Sequence, residues 1–220
     1  MPIALVFGAT GLVGQQITLQ LLADPRYERV HTFGRRPVGL SSPKLEEHTI
    51  QFDQPATWAD QVRGDHVFLA LGTTRKAAGT LEDQRRIDVD YGLYAAKAAR
   101  EGGATAAALV SSAGASARST VPYNRMKGDL EDGLRALGFA HLALIRPGIL
   151  EGERIEARHG ERLGIALLRP LRFVPGLKAW SPIPATTVAR ACIRALNDPK
   201  APAERIAQLG GVFELGAEAG

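Results

Sequence analysis

The stretch GATGLVG, Gly8 to Gly14, stands between the apolar run IALVF and a segment in which Val13, Ile17 and Leu21 recur every fourth residue. That order of strand, glycine turn and amphipathic helix constrains the fold more than any other feature of the chain. Glycines at positions 8, 11 and 14 allow a tight turn, a close approach of backbone to an anion, and close helix-to-strand packing. The first amides of the helix, at Leu12 and Val13, then point at a phosphate with the positive end of the helix dipole behind them. Thr10 belongs to the same cradle. A glycine triplet alone is weak evidence, but in this context it indicates a dinucleotide pyrophosphate site.

The rest of the chain supports that frame. Short apolar runs, IALVF, RVHTF, HVFLAL, AALVS and LALIR, alternate with helical patterns. Runs this apolar suit parallel strands covered on both faces. One helix stops at ADP, after Leu22 and Ala23; another runs through LEDQRRIDVDYGLYAAKAAREGG, and a third through YNRMKGDLEDGLRALG, both ended by glycine. The expectation is a doubly wound α/β Rossmann fold with a mainly parallel sheet, one domain over residues 1–220. Residues 149–185, rich in proline and arginine and without a clear strand, are expected to form a small substrate or lid segment over the carboxyl edge of the sheet. A last helix, ATTVARACIRALND, a strand near Ile206 to Leu209 and a helical turn around Val212 to Leu215 complete the chain.

Composition excludes several classes. The 27 basic and 23 acidic residues include no long like-charge run, so no nucleic-acid arm is expected. No apolar stretch is long enough for stable membrane insertion, and the N-terminus lacks the basic region of a secretion signal. One cysteine, Cys192, excludes an internal disulfide and fits a reducing compartment, so a cytoplasmic location is expected. The five histidines are scattered, with no pair at ligand spacing on a predicted helix, and no metal is expected.

The second strand ends at TFGRRP. A site for NAD usually offers a carboxylate here for the ribose 2′-hydroxyl; Arg35 and Arg36 would repel nothing on a 2′-phosphate and would pair with it, which favours NADP (NADPH). Asp53, after the third strand, is a candidate acceptor for the adenine amino group. Leu71, Gly72 and Thr73, in ALGTT at the end of the fourth strand, let the backbone run close to the cofactor. The fifth strand, ALVSSAG, brings Ser111 and Ser112 to the same edge. Tyr123 and Lys127 then share one helix face, a turn apart. A phenol with its ordinary pKa near 10 is a poor acid and a poorer base at neutral pH, and a nearby ammonium favours the phenolate. A serine hydroxyl holds the substrate oxygen meanwhile.

In combination, GATGLVG, SSAGA and YNRMK resemble the short-chain dehydrogenase/reductase superfamily, of the atypical kind. LGTTRKAAG, IDVDY, RPGIL and PATTVAR look like its Tat-interacting oxidoreductase group. The resemblance implies Tyr123 as acid/base, Lys127 as its partner and nicotinamide-ribose ligand, and a serine of the 111/112 pair, preferably Ser112, as substrate-orienting group. It also places Pro147, Gly148 and Ile149 beside the nicotinamide. Asp88 and Asp90 stand where many members carry an asparagine, and are read as capping or solvated residues. The activity implied is NADP(H)-dependent interconversion of a carbonyl and an alcohol in a small-molecule substrate. An NADPH-binding regulator acting through a protein partner, and a nucleotide-sugar epimerase or dehydratase, are the alternatives. Helices around Asp83 to Arg100 and Tyr123 to Leu137 leave a homodimer open.

Overall fold

The computed structural model describes residues 1–151 and 181–218. Its centre is a seven-stranded, all-parallel sheet in the order β3-β2-β1-β4-β5-β6-β9. The strands are β1 (Ile3–Phe7), β2 (Arg29–Gly34), β3 (Leu45–Thr49), β4 (His66–Leu69), β5 (Ala106–Val110), β6 (His141–Arg146) and β9 (Glu204–Gln208). A two-residue pair, β7 (Leu150–Glu151) and β8 (Ile183–Pro184), brackets the segment 152–180. The expected lid segment therefore falls largely outside the described residues. The order reverses at β1, and a reversal opens a crevice at the carboxyl ends of the strands.

Alternation along each strand feeds two apolar layers. Ala4, Val6, Phe68, Ala106, Ala108, Ala143 and Ile145 face one side, with helices α1 (Leu12–Ala23) and α6 (Ala185–Asn197) packed there. Leu5, Phe7, Val67, Leu69, Ala107, Leu109, Leu142 and Leu144 face the other, under α4 (Tyr91–Glu101) and α5 (Pro122–Ala136). The alanine-rich β5 leaves room for α6 to approach the sheet. In α1, the periodic Val13, Ile17 and Leu21 are all buried, as their spacing requires.

Two short helices, α2 (Arg75–Ala78) and α3 (Leu81–Arg85), follow β4, each capped by the threonine before it. Between α3 and α4 the chain widens into a five-residue π turn, Arg86–Asp90. The chain closes with α7 (Gly210–Leu215). Among the described residues, no helix is long and apolar enough to cross a membrane.

Phe7 ends β1 immediately before the glycine turn, fully buried, with Phe33 stacked at 4.9 Å and Trp58 tilted at 6.1 Å. Phe7→Ala removes the floor of that turn. The expected loss is about 3–5 kcal/mol of unfolding free energy, read by urea denaturation; a loss within error of zero would contradict this packing.

Candidate active site

The glycine turn is built as its sequence demands. Gly8 has φ +87°, and a Cβ there would lie 2.6 Å from the Ala70 backbone. A Cβ on Gly14 would lie 2.0 Å from the carbonyl oxygen of Gly8. The turn closes by a 2.9 Å hydrogen bond from the Gly11 amide to that same carbonyl. No side chain caps α1 at Gly11, and its first turn carries no acidic residue. The opening amides, at Leu12 and Val13 among them, have no partner within the helix by geometry. With Thr10 and Gly11 exposed beside them, these groups fit a pyrophosphate.

At the end of β2, Arg35 and Arg36 are exposed, and neither has an ion-pair partner among the described residues. Arg35 lines a cleft of about 560 Å³ together with Asp53, Arg86 and Tyr91. Asp53 accepts a 2.5 Å hydrogen bond from the Tyr91 hydroxyl, whose pKa is pushed up to about 12, chiefly by burial and then by that bond. A carboxylate has further lone pairs, so Asp53 keeps acceptor capacity toward the cleft. Arg86, a further cation facing this space and paired with Asp83, escaped the sequence reading because it sits fifty residues from the Arg35 turn.

Leu71, Gly72 and Thr73 form the loop after β4. Lys127, 2% exposed, donates a 3.4 Å hydrogen bond to the Leu71 carbonyl. Its ammonium lies 5.9 Å from the ring centre of Tyr123, which is 38% exposed. Helix α5 carries both residues, and it reaches this position because Gly128 meets the Ser116–Ala117 backbone, where a Cβ would lie 2.1 Å away. The loops after β5 and β6 are pinned together by the Ala113 amide on the Pro147 carbonyl, at 2.9 Å. Ser112 precedes that bond in sequence, and Gly148 and the exposed Ile149 follow it.

The two serines differ. Ser111 is buried and donates a 2.6 Å hydrogen bond to Glu131, itself 1% exposed and clamped by Arg146 through bonds of 2.9 and 2.5 Å. Ser112 is half-buried, and among the described residues its hydroxyl makes a long 3.4 Å contact with the Ala113 carbonyl. Ser111 is occupied inside the fold, and Ser112 is the more open of the two.

Asp88 departs from its reading as a capping or solvated residue. It is fully buried in the π turn, accepts from the Thr73 amide at 2.7 Å, and receives Gln84 at 3.3 Å. Asp90 is half-buried and makes no capping bond to α4. A Cβ placed on Gly72 would lie 3.4 Å from an Asp88 oxygen and 3.8 Å from the Lys127 nitrogen, so both charges face one point of the loop. Burial raises the Asp88 pKa, and Lys127 opposes that rise.

No family model matches the chain. Among curated proteins, it is 37% identical to protein fmp52-1, mitochondrial, of Aspergillus terreus, over 97% of this chain and 98% of that one. It is 40% identical to protein fmp52, mitochondrial, of Emericella nidulans, over 71% and 70% respectively. Among solved structures, an oxidoreductase of the short-chain dehydrogenase/reductase family from Burkholderia thailandensis superposes with a TM-score of 0.75 at 18% identity, over 97% of this chain and 93% of that one. MoeE5 in complex with UDP-glucuronic acid and NAD gives 0.70 at 17%, over 94% and 75%. The Rossmann fold expected from the sequence is thus the fold present, and it is shared with these solved structures. These matches do not extend to the Tat-interacting group. The expected cytoplasmic location is corrected: the curated relatives are named mitochondrial proteins, and a lone cysteine fits any reducing compartment.

The buried Asp88 makes stability pH-dependent. Its folded-state pKa lies above the ordinary value of 3.8, so its destabilising effect is absent below that value and complete above the raised one. The stability of Asp88→Asn relative to the unaltered chain should therefore grow as pH rises through the carboxylate range, in denaturant melts at successive pH values. A difference that stays flat or shrinks would sink this account.

Proposed function

The chain belongs to the Fmp52 family, and from that membership and the geometry of the site we propose that it is an NADP(H)-dependent oxidoreductase interconverting a carbonyl and an alcohol in a small molecule. The observation that carries this reading is the placement of buried Lys127 against the Leu71 carbonyl with half-exposed Tyr123 beside it, at the strand edge where Gly8 turns into α1. When bound, the cofactor supplies a hydride donor or acceptor at its nicotinamide.

In this proposal Gly8, Thr10, Gly11, Leu12, Val13 and Gly14 hold the pyrophosphate. Arg35 and Arg36 pair with the 2′-phosphate, and Asp53 accepts from the adenine amino group. Leu71, Gly72 and Thr73 follow the central part of the dinucleotide, while Pro147, Gly148 and Ile149 flank the nicotinamide. Ser112 donates to the substrate oxygen. Tyr123 gives that oxygen a proton in reduction and removes it in oxidation. Lys127 favours the phenolate and holds the nicotinamide ribose. The relatives' names favour a mitochondrial location.

The curated relatives carry no stated activity in their names, and the likeness to sugar-nucleotide enzymes is one of fold. A panel of aldehydes, ketones and quinones with NADPH therefore comes first. On any substrate found, Tyr123→Phe should lower kcat by roughly 10²–10⁴-fold, the range of positioned proton transfer, with NADPH affinity unchanged. Ser112→Ala should lower kcat too, whereas Ser111→Ala should mainly lower the melting temperature. Retention of turnover by Tyr123→Phe would overturn the assignment.

Cofactor choice has its own test. Replacing Arg35 and Arg36 together by serine should weaken NADPH binding by about 10–100-fold, the worth of lost charge-assisted hydrogen bonds, and leave NADH nearly unaffected. Equal losses for both cofactors, measured by fluorescence titration, would assign the arginines another task.

A further inference from the structure

Strand β3 lies at one edge of the sheet, and little of it is buried: Glu46, Glu47 and Thr49 are exposed, Leu45 and His48 half-buried. Parallel pairing with β2 sets His31 opposite Glu46 and Phe33 opposite His48. Partners across a ladder share a face, as do alternate residues along a strand, so His31, Glu46 and His48 converge on one side. One nitrogen or oxygen from each lies within 4.8 Å of the others. His31 Nε2 is 3.6 Å from Glu46 Oε2, and His48 Nε2 is 3.3 Å from Glu46 Oε1. Ligand atoms about 2.0–2.2 Å from a tetrahedral ion stand roughly 3.3–3.6 Å apart, and each imidazole stands at about that separation from one oxygen of the shared carboxylate.

Among the described residues, both ring nitrogens of His31, and Nε2 of His48, are buried without a hydrogen-bond partner. Buried polar atoms are rarely left so, and each such case asks for an unseen partner. Phe33 stacks on His48 with ring centres 4.5 Å apart and fixes its orientation. Arg29, exposed, lies 4.0 Å from Glu46.

We propose that His31, Glu46 and His48 bind a divalent transition ion of the zinc class, which clips edge strand β3 to β2. Two imidazoles and one carboxylate suit zinc and its neighbours rather than magnesium or calcium, whose preferred ligands are all oxygen. Exposed Glu46 leaves the fourth position to water. Sequence spacing hides such a site, because its ligands come from two strands and meet only through their register. The expectation of no metal rested on spacing along helices.

The test uses the full chain stripped of metal and titrated with zinc chloride, followed by calorimetry and by melting temperature. Binding of about one equivalent at micromolar or tighter affinity is expected, with a rise in melting temperature. Cobalt(II) in place of zinc should give the visible absorption of a tetrahedral site. Glu46→Gln, at the surface, and His48→Gln should each weaken zinc binding by roughly tenfold or more. Their metal-free melting temperatures and NADPH affinities should stay those of the unaltered chain. Failure of the unaltered chain to bind zinc overturns the proposal. So does zinc binding that survives in the Glu46→Gln, His48→Gln double variant.

Discussion

The frame of the site depends on one approach of backbone to backbone. Gly8, at the end of β1, lies so near Ala70 and Leu71 that no side-chain carbon fits between them. Two functions are joined by that contact. On the β1 side the chain turns into the opening amides of α1; on the β4 side the Leu71 carbonyl holds the Lys127 ammonium. The separation between the glycine turn and Lys127 is thereby set by covalent geometry and sheet register, which vary far less than side-chain rotamers. The adjoining core serves the same end: Phe7, Phe33 and Trp58 support the turn from below, and Gly128 lets α5 press against the loop that follows β5.

Two buried carboxylates flank this frame and are held differently. Glu131 has Arg146 on both oxygens and Ser111 on one of them, a fully satisfied cluster that knits α5 to β5 and β6. A buried pair of this quality contributes little net stability, but removing either member strands the other's charge. Asp88 has an amide and a carboxamide, and its balancing charge, Lys127, contacts a different residue. Its raised pKa shows that these partners do not fully replace water. Such incomplete compensation beside a lysine is the pattern of a group kept for what it does to its neighbour. The π turn is what delivers it, since a widened turn advances Asp88 toward the Thr73 loop.

Much of this was legible in residue order. The glycine turn, the periodic face of α1, the apolar strands and the start of α5 all follow from local pattern, and the strand order is that of the fold they imply. Asp88 was illegible because a regular helix carries no mark of where it will widen. The burial of Ser111, by contrast, was in plain view. Ala107 and Leu109 face the α5 side, and period-two alternation sends Ser111 after them. Ser112 is left for the edge. Long-range pairing set the remaining limit: Arg86 reaches the Arg35 cleft, and His48 reaches His31, only once strands and helices have closed.

Tyr123 and Lys127 share a helix face yet differ sharply in exposure, and that asymmetry follows from where α5 begins. Tyr123 lies in its first turn, just past Pro122, with its ring exposed; one turn later the helix packs against the π turn and Lys127, bonded to the loop after β4, is enclosed. An enclosed ammonium acts through a lower dielectric than an exposed one, so its pull on a phenol 5.9 Å away from ring centre is less screened. The phenol itself remains open to whatever enters from solvent. A helix that descends from surface to core along four residues thus gives one side chain access and the other electrostatic leverage, and neither could exchange places without losing its part.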